Sequence, residues 1–456
     1  LTPELGTVNT NTRRDDRAQL LSDFTEMKTL LILGMSVVLV LGTDTGNQQG
    51  KHWALLVAGS NTWGNYRHQA DVCHAYQIVH AHGVPDENIV VMMYDDIAHN
   101  RENPTPGIVI NQPNGKDVYH GVPKDYTGAH VNPQVFLNVL TGKKEKLQGI
   151  GSGKVIDSGP NDHVFVNFVD HGAPGIIAFG DKYLHAKDLM AAIKEMYQKK
   201  KYQKLLFYLE ACEAGSMFEN LLPKDINVFA TTAANARESS YACYFDKKRQ
   251  TFLGDVYSVM WMQDSDKEDL TKETLQSQFL ITKKKTNTSH VTEYGDLSID
   301  AMMVAEFLGN MTSSIVVQPN VANPYEDAVK SEDVPLAILE RSLKLAKSEM
   351  EKSQLQTRLN ELLRERQMVR RTFESIISLV HEDTEMVNKI LNGERHTIHD
   401  WDCYESALNK LVQTCPQLNI PQNDYALRHL YTLVNMCETN TSVDILHEAI
   451  DEVCRH

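Results

Sequence analysis

The run His163-Val-Phe-Val-Asn-Phe-Val-Asp170 stops at His171-Gly172, and a second run, Lys204-Leu-Leu-Phe-Tyr-Leu-Glu210, stops at Ala211-Cys212-Glu213-Ala214-Gly215. Both are short, nearly continuous apolar segments, as expected of strands buried on two faces. Between them, Leu184 to Tyr202 alternates apolar and charged residues at helical period. The three pieces therefore read as strand, helix, strand. Such a unit lays two parallel strands side by side, with their carboxyl ends opening on one edge of the sheet. His171 and Cys212 then face each other across that edge. A thiol attacks only as thiolate or with a base beside it, and imidazole titrates near neutral pH, so the two form a candidate nucleophile and base. The plainer alternative, a core cysteine and an unrelated loop histidine, leaves unexplained why both fall at matched strand ends beside glycine.

The same alternation extends from His52 to about Met311, with segments at His52 to Gly59, Arg67 to His82, Ile89 to Asp95, Ile226 to Thr232 and Leu253 to Met262. It predicts an α/β sandwich around a mainly parallel sheet. Two loops, Asn100 to Gly128 and Gly142 to Pro160, have the length of functional loops. From Thr312 to about Val334 the periodicity fades among Pro319, Pro324 and Pro335, which reads as a linker. Beyond it the pattern is helical, at Leu336 to Ala346, Met350 to Val380 and in shorter pieces after that.

At 456 residues the chain is long enough for two domains, and 42% hydrophobic with 23% charged residues is ordinary for a globular protein. A formal charge of -15 argues against nucleic acid as a partner, because phosphate binding needs a dominant basic face. Near the start, Met27-Lys28 precedes the apolar stretch Thr29 to Leu41 and the small residue Gly42. This has the layout of a secretory signal peptide and is too short for a membrane span. Met27 is then the expected initiator, with residues 1–26 an upstream extension that does not belong to the mature protein. The sequons at Asn287, Asn310 and Asn440 fit export and glycosylation.

Cys73, Cys212 and Cys243 are scattered, whereas Cys403, Cys415, Cys437 and Cys454 crowd the carboxy-terminal end. Four cysteines in a small helical segment of an exported protein point to two disulfides, with three pairings open. Zinc is the competing reading, but the spacings are long and no C-x-x-C pair occurs, so no metal is expected. Between Arg341 and Arg371 nine basic residues outnumber four acidic ones. Either this is a solvated helix face, or the helix docks on an acidic surface of the first domain and loosens when carboxylates there protonate.

With these pieces in place, the chain resembles the legumain family of caspase-like asparaginyl endopeptidases. The resemblance spans residues 51–456. It rests on Lys51-His-Trp-Ala-Leu-Leu-Val-Ala-Gly-Ser60, Asn65-Tyr-Arg-His-Gln-Ala-Asp71, Asp170-His-Gly172, Glu210-Ala-Cys-Glu213, Ala233-Ala-Asn-Ala-Arg-Glu-Ser-Ser-Tyr241 and Leu253-Gly-Asp255. It implies a caspase-like three-layer sandwich at 43–311, an activation peptide or linker at 312–347 and an all-α, disulfide-bonded prodomain at 348–456. It further implies His171 as general base, Cys212 as thioester-forming nucleophile, the N–H groups of Gly172 and Cys212 as oxyanion hole, and Asn65 orienting the imidazole. Arg67, His68, Glu210, Ser240 and Asp255 would form the specificity pocket, and the disulfides would pair Cys403 with Cys437 and Cys415 with Cys454. No cofactor is implied. Expected partners are protein and peptide substrates, cystatin-type inhibitors and the chain's own prodomain, which covers the site until acid releases it, with Arg341 to Arg371 facing the acidic pocket.

One departure concerns activation: Lys347 stands where some animal members carry the asparagine that is cut, leaving Asn323, Asn360 or another protease. Succinimide formation at Asp170, known in the family, is disfavoured locally by the Asp-His sequence. A transamidase or ligase of the same family, and an inactive secreted binding protein, are the rival readings. The carboxy-terminal cysteines and the intact catalytic positions speak against each in turn.

Overall fold

The computed structural model describes residues 50–310 and 323–455. The expected extension 1–26, the expected signal peptide 27–42 and residues 312–322 of the expected linker lie outside the described residues. In chain order, β1 (His52–Ala58), β2 (Ile89–Met92) and β3 (His163–Val169) precede a small meander of β4 (Gly172–Ala173), β5 (Ile176–Phe179) and β6 (Lys182–His185). Next come β7 (Lys204–Glu210), β8 (Val228–Thr232), a hairpin of β9 (Tyr241–Asp246) and β10 (Thr251–Asp255), then β11 (Thr292–Gly295) and β12 (Val329–Lys330).

The central sheet has the order β11-β8-β7-β3-β1-β2, parallel except for the antiparallel edge strand β11. Successive side chains of a strand point to opposite faces, and here both faces are covered. Leu56, Phe165 and Leu206 share a core with the helices Tyr66–Ala81 and Val256–Ser265. Leu55, Val166 and Phe207, in register across β1, β3 and β7, pack on the other face against Pro133–Leu140 and Ala186–Gln198. At about 1.5–3 kcal/mol for each fully buried large apolar side chain, these two layers dominate the stability of the sandwich.

Two boundaries differ from the sequence expectation. The helix expected from Leu184 begins at Ala186, because Leu184 and His185 pair with β5 as the end of β6. The segment Leu253 to Met262 divides at Asp255, which ends β10 and stands at the N-terminal cap position of Val256–Ser265. Strands of two to four residues carry too little alternation to show in a sequence.

The carboxy-terminal part is helical, with Val334–Leu345, Glu349–Val380, Thr384–Asn392, Trp401–Thr414, Asp424–His429, Tyr431–Glu438 and Val443–Cys454. Cys403 is joined to Cys437 and Cys415 to Cys454, with Cα separations of 5.8 and 5.1 Å. These helices share one core with Ala173 and Ile176 of the β4–β6 meander, so the helical region is seated directly on the peptidase sheet edge. Among the described residues, no helix is long and apolar enough to cross a membrane.

Candidate active site

Parallel pairing sets the site. Val169 stands opposite Glu210 in the β3–β7 register, and the Asp170 N–H donates to the Glu210 carbonyl at 3.0 Å. The two strands therefore end level, and His171 and Cys212 leave the sheet at the same edge. A Cβ on Gly172 would lie 2.1 Å from the Cys212 carbonyl oxygen, so only glycine permits this approach of the two backbones. Glu213, immediately after Cys212, adopts the left-handed conformation, with φ 48°, and its N–H donates to the Glu238 carbonyl at 2.8 Å. The chain thus turns sharply enough to leave Cys212 at the head of the bend.

His171 is held from two sides. Its Nε2 lies 3.0 Å from Asn65 Oδ1, while the Asn65 amide donates to the Asn61 carbonyl at 3.0 Å. Asn65 therefore offers an oxygen to the ring, and Nε2 carries the proton. The other nitrogen, Nδ1, lies 3.2 Å from Asp424 Oδ1, a carboxyl supplied by the helical region. Burial, with the Arg67 charge second, holds the His171 imidazole well below its ordinary pKa. Burial pushes the Asp424 carboxyl up to about 7. A neutral Nδ1 and a carboxylate would repel, so this contact requires one shared proton. Cys212 is 8% exposed, and its Sγ lies 3.9 Å from Ser240 Oγ. Burial, then the charges of Glu213 and Glu332, raises the thiol well above its ordinary pKa. In this closed state Cys212 is a thiol and the Nδ1 of His171 is occupied.

Beside the dyad, the Tyr66–Ala81 helix points Arg67 inward, fully buried. Its Nε donates to Asp255 Oδ1 at 2.9 Å, its Nη1 to Asn65 Oδ1 at 3.4 Å and its Nη2 to Ser331 Oγ at 2.8 Å. His68 lies under it with Nδ1 2.6 Å from Ser60 Oγ, kept neutral by burial and the Arg67 charge. Glu210 Oε2 accepts from both the N–H and the hydroxyl of Ser258, at 3.0 and 3.1 Å. Burial and the Asp255 charge raise Glu210 to about 8. Two buried oxygens, Glu210 Oε1 and Asp255 Oδ2, have no hydrogen-bond partner. The structure thus gathers Asn65, Arg67, His68, His171, Gly172, Glu210, Cys212, Ser240 and Asp255 at one sheet edge.

One trio, His68, Asp170 and His171, brings possible metal-ligand atoms within 4.8 Å of one another. Ser60 and Asn65 already take a ring nitrogen of each histidine, so hydrogen bonding accounts for the arrangement without an ion.

The seal over this site differs from the sequence expectation. The basic run Arg341 to Arg371 does not reach Glu210 or Asp255. Its Arg366 instead bonds Asp333 and the Glu332 carbonyl in the preceding segment. The arginines that pair with the side-chain carboxyls lining the site come from further on: Arg395 Nη1 lies 2.5 Å from Glu213 Oε1, and Arg428 Nη1 lies 3.3 Å from Glu332 Oε1. Part of the expected linker also belongs to the site. β12 pairs antiparallel with β9, and Ser331 N–H donates to the Ser240 carbonyl at 3.0 Å. Main-chain pairing asks nothing of side-chain periodicity, so a strand of two residues leaves no signal in the sequence. Between His171, Cys212, Ser331, Glu332, Asp424 and Leu427 only about 10 Å³ of free space remains. A peptide cannot enter.

Apolar contacts fix the cover. Trp401 and Ile398 lie over Gly175, where a Cβ would meet the indole at 2.7 Å, and Tyr404 Oη donates to the Pro174 carbonyl at 2.7 Å. Around this dock, Lys187 pairs with Glu405 at 3.0 Å.

Residues 52–310 match the model of the peptidase C13 family, and residues 357–454 match that of the legumain prodomain. Legumain from Bos taurus is 51% identical over 93% of this chain and 97% of its own length. Vacuolar-processing enzyme delta-isozyme from Arabidopsis thaliana is 39% identical over 89% and 91%. The solved structure of caspase-1 from Spodoptera frugiperda overlaps 52% of this chain and 78% of that one, at 11% identity and a TM-score of 0.28. With a dyad at the sheet edge and a helical region seated over it, the chain belongs to the peptidase C13 family and is a cysteine endopeptidase in its prodomain-bearing form.

Proposed function

We propose that this endopeptidase cuts after asparagine, and after aspartate at acid pH, in an acidic compartment of the secretory pathway. The observation that carries the reading is the pair of buried, unpartnered oxygens, Glu210 Oε1 and Asp255 Oδ2, beside the Arg67 guanidinium. An asparagine side chain offers one acceptor, which Arg67 satisfies once Ser331 yields, and one NH2 whose two donors match the two free oxygens. A glutamine would push the same amide about one C–C bond too deep. An ionised aspartate would set a carboxylate against Glu210 and Asp255, whereas a protonated one supplies a hydroxyl donor to the same oxygens. Aspartate cleavage is therefore confined to acid pH.

The chemistry follows from the ring tautomer. With Nε2–H held on Asn65, Nδ1 is the base: it takes the Cys212 proton as Sγ attacks the scissile carbonyl. The oxyanion falls to the N–H groups of Gly172 and Cys212. The imidazolium returns its proton to the leaving amine, giving a thioester that water hydrolyses through the same base. Asp424 occupies Nδ1, so the prodomain blocks the base directly.

Asn360 lies inside the Glu349–Val380 helix and Asn323 precedes Pro324, whereas Lys347 lies in the exposed gap between Val334–Leu345 and Glu349–Val380. Activation by a lysine-directed protease at that gap fits both accessibility and sequence. Asn287, Asn310 and Asn440 are all exposed, consistent with glycosylation during export. The name of the Arabidopsis relative, a vacuolar-processing enzyme, speaks for an acidic destination. Cystatin-type inhibitors would approach the cleft after the prodomain leaves.

The test is incubation at about pH 4–5, followed by assay on paired peptides with Asn or Gln before the scissile bond, with Cys212→Ala as control. Asn-selective cleavage that depends on Cys212 is expected. Equal cleavage of the two peptides would sink the pocket assignment, and activity in Cys212→Ala would sink the dyad.

A further inference from the structure

The specificity pocket has a carboxyl behind it that no step above uses. Asp71 is fully buried one helical turn after Arg67, on the same face of the Tyr66–Ala81 helix. Its Oδ2 accepts from the Asp255 N–H at 3.2 Å, and its Oδ1 accepts from Asn111 Nδ2 at 2.7 Å. Asn111 Nδ2 also reaches the Leu253 carbonyl at 2.9 Å. The intervening residue is glycine because there is no room for more: a Cβ on Gly254 would lie 3.1 Å from Asp71 Oδ1 and 3.0 Å from Asn111 Nδ2. Asp71 and Asn111 together thus grip the last three residues of β10, the strand that presents Asp255.

We propose that Asp71 is a positioning residue for primary specificity: it fixes the end of β10 and, as a neutral acid, donates a hydrogen bond to the Asp255 carboxylate, which keeps Asp255 ionised on Arg67 and ready to accept from the substrate amide. This rests on the pocket assignment made above and says what holds that pocket in its working charge state.

The surroundings of Asp71 force the neutral form. Asp255 faces it from β10, Glu210 from β7, Cys243 from β9, Asn111 from the loop, and Arg67 and His74 flank it on its own helix. Arg67 is the one cation bonded into this group, and its Nε is committed to Asp255. His74 is tied to Asp266 at 3.0 Å and reaches Asp71 only through Asn111 Oδ1, at 2.9 Å. Three carboxyls around one guanidinium cannot all ionise in a dry site. Burial and the Asp255 charge hold Asp71 well above the ordinary carboxylate range; burial raises Asp255 as well, and the Arg67 charge, the Arg67 hydrogen bond and then the Asp71 hydrogen bond act against that rise. The pair behaves as one acid and one carboxylate. Each carboxylate oxygen has two lone pairs, so Asp255 Oδ1 can hold both the Arg67 Nε–H and the Asp71 proton while Oδ2, which has no hydrogen-bond partner, keeps its capacity for the substrate.

Asp71→Ala removes both the grip and the donor. Asp255 then ionises less readily, a P1 aspartate is repelled less, and a P1 asparagine loses its acceptor. In the acid-activated enzyme we expect the ratio of kcat/KM for Asn over Asp peptides to fall about tenfold, with the upper pH limb of Asp cleavage moving to higher pH. Asp71→Asn keeps a donor toward the Asp255 carboxylate, but its NH2 cannot accept from the Asp255 N–H as the acid's oxygen does, so it should return the limb to its wild-type position while the ratio stays about threefold low. A folded Asp71→Ala with wild-type ratio and limb would overturn the proposal. So would a folded Asp71→Asn whose limb moves, a result that remains decisive if the alanine variant fails to fold. Thermal melting separates folding from positioning. Loss of Asn over Gln selectivity in the wild type would instead overturn the pocket assignment itself, and this inference with it.

Discussion

The primary pocket and the surface that seals it are both made of buried charges, but they are put together differently. In the pocket, Arg67, Glu210 and Asp255 come from a helix and two strand ends of one sandwich, tied by contacts such as Arg67–Asp255 at 2.9 Å. At the seal, each contact crosses between bodies far apart in the chain: Asp424 to His171, Arg395 to Glu213 and Arg428 to Glu332. The pocket is finished before anything covers it. The cover adds ligands to groups already in place, and so it can leave without dismantling them.

Proton linkage sharpens the contrast, because the sealed groups titrate in opposite directions. Asp424 and Glu213 are raised to about 7 and about 8, chiefly by burial. Released to solvent they would fall toward ordinary carboxylate values, so the closed state takes up protons at these two sites as pH falls, and acid favours closure there. His171 lies well below its ordinary value and His429 at about 4, again through burial. Released, His171 would rise toward about 6.5, so the closed state is weakened as pH falls below about 6.5; His429, packed on Phe373 and Tyr425, gains a proton only where the helical region itself opens. The drive for acid opening therefore lies in the buried neutral His171, with His429 weakening the helical region itself. Protonation of Glu210 and Asp255, which the seal does not touch, is not what loosens it.

The largest expected effect lies on the pocket side, in the dyad. Cys212→Ala should cost at least about 10⁴-fold in kcat/KM after activation while leaving the melting temperature of the zymogen nearly unchanged. Next, Arg67→Ala leaves Asp255 buried without its cation. A loss of about 10²- to 10³-fold on Asn peptides is expected, together with a lowered melting temperature that calorimetry would show.

Two smaller effects belong to the seal. Lys347→Asn places an asparagine, the proposed target residue, in the exposed gap between helices and should speed the onset of activity in purified zymogen at acid pH by about tenfold, through trans cleavage. Gel analysis with a Cys212→Ala control would tell self-processing from contamination. The smallest is His429→Phe. His429 stacks on Phe373 and accepts no external partner, its Nδ1 lying 2.7 Å from the Tyr425 carbonyl. A phenyl ring keeps the stacking and cannot charge, so the midpoint of acid unfolding of the helical region should move down by about half a unit. An unchanged midpoint would leave His171 as the histidine that carries the acid response.

How much of this was legible varied with distance along the chain. The ends of β3 and β7 stood out because strands buried on both faces are written as continuous apolar runs, and His171 and Cys212 follow those runs at once. The pocket residues were visible only through the family resemblance, since nothing in the spacing of Arg67, Glu210 and Asp255 marks them as neighbours. Asp424, Arg395 and Arg428 were missed: single charges on short helices look like solvated surface until the fold places them opposite the site. The basic run Arg341 to Arg371 misled for the converse reason. Its abundance of charge drew attention, while much of it is exposed and pairs locally, as Arg370 does with Glu374 at 2.6 Å. Asp71 lay inside a quoted block but gave no sign of its role, because that role depends on the closeness of Gly254.

β12 has a consequence beyond latency. It closes the free side of β9, giving the small sheet the order β10-β9-β12. A bare strand edge is a template for pairing with other chains, and β12 replaces it with one only two residues long, ending in Lys330. A maturation cut at the exposed gap around Lys347 leaves this strip attached to the peptidase. Trimming back past Val329 would uncover β9, and the enzyme that gained a wider cleft would gain an aggregation-prone margin with it.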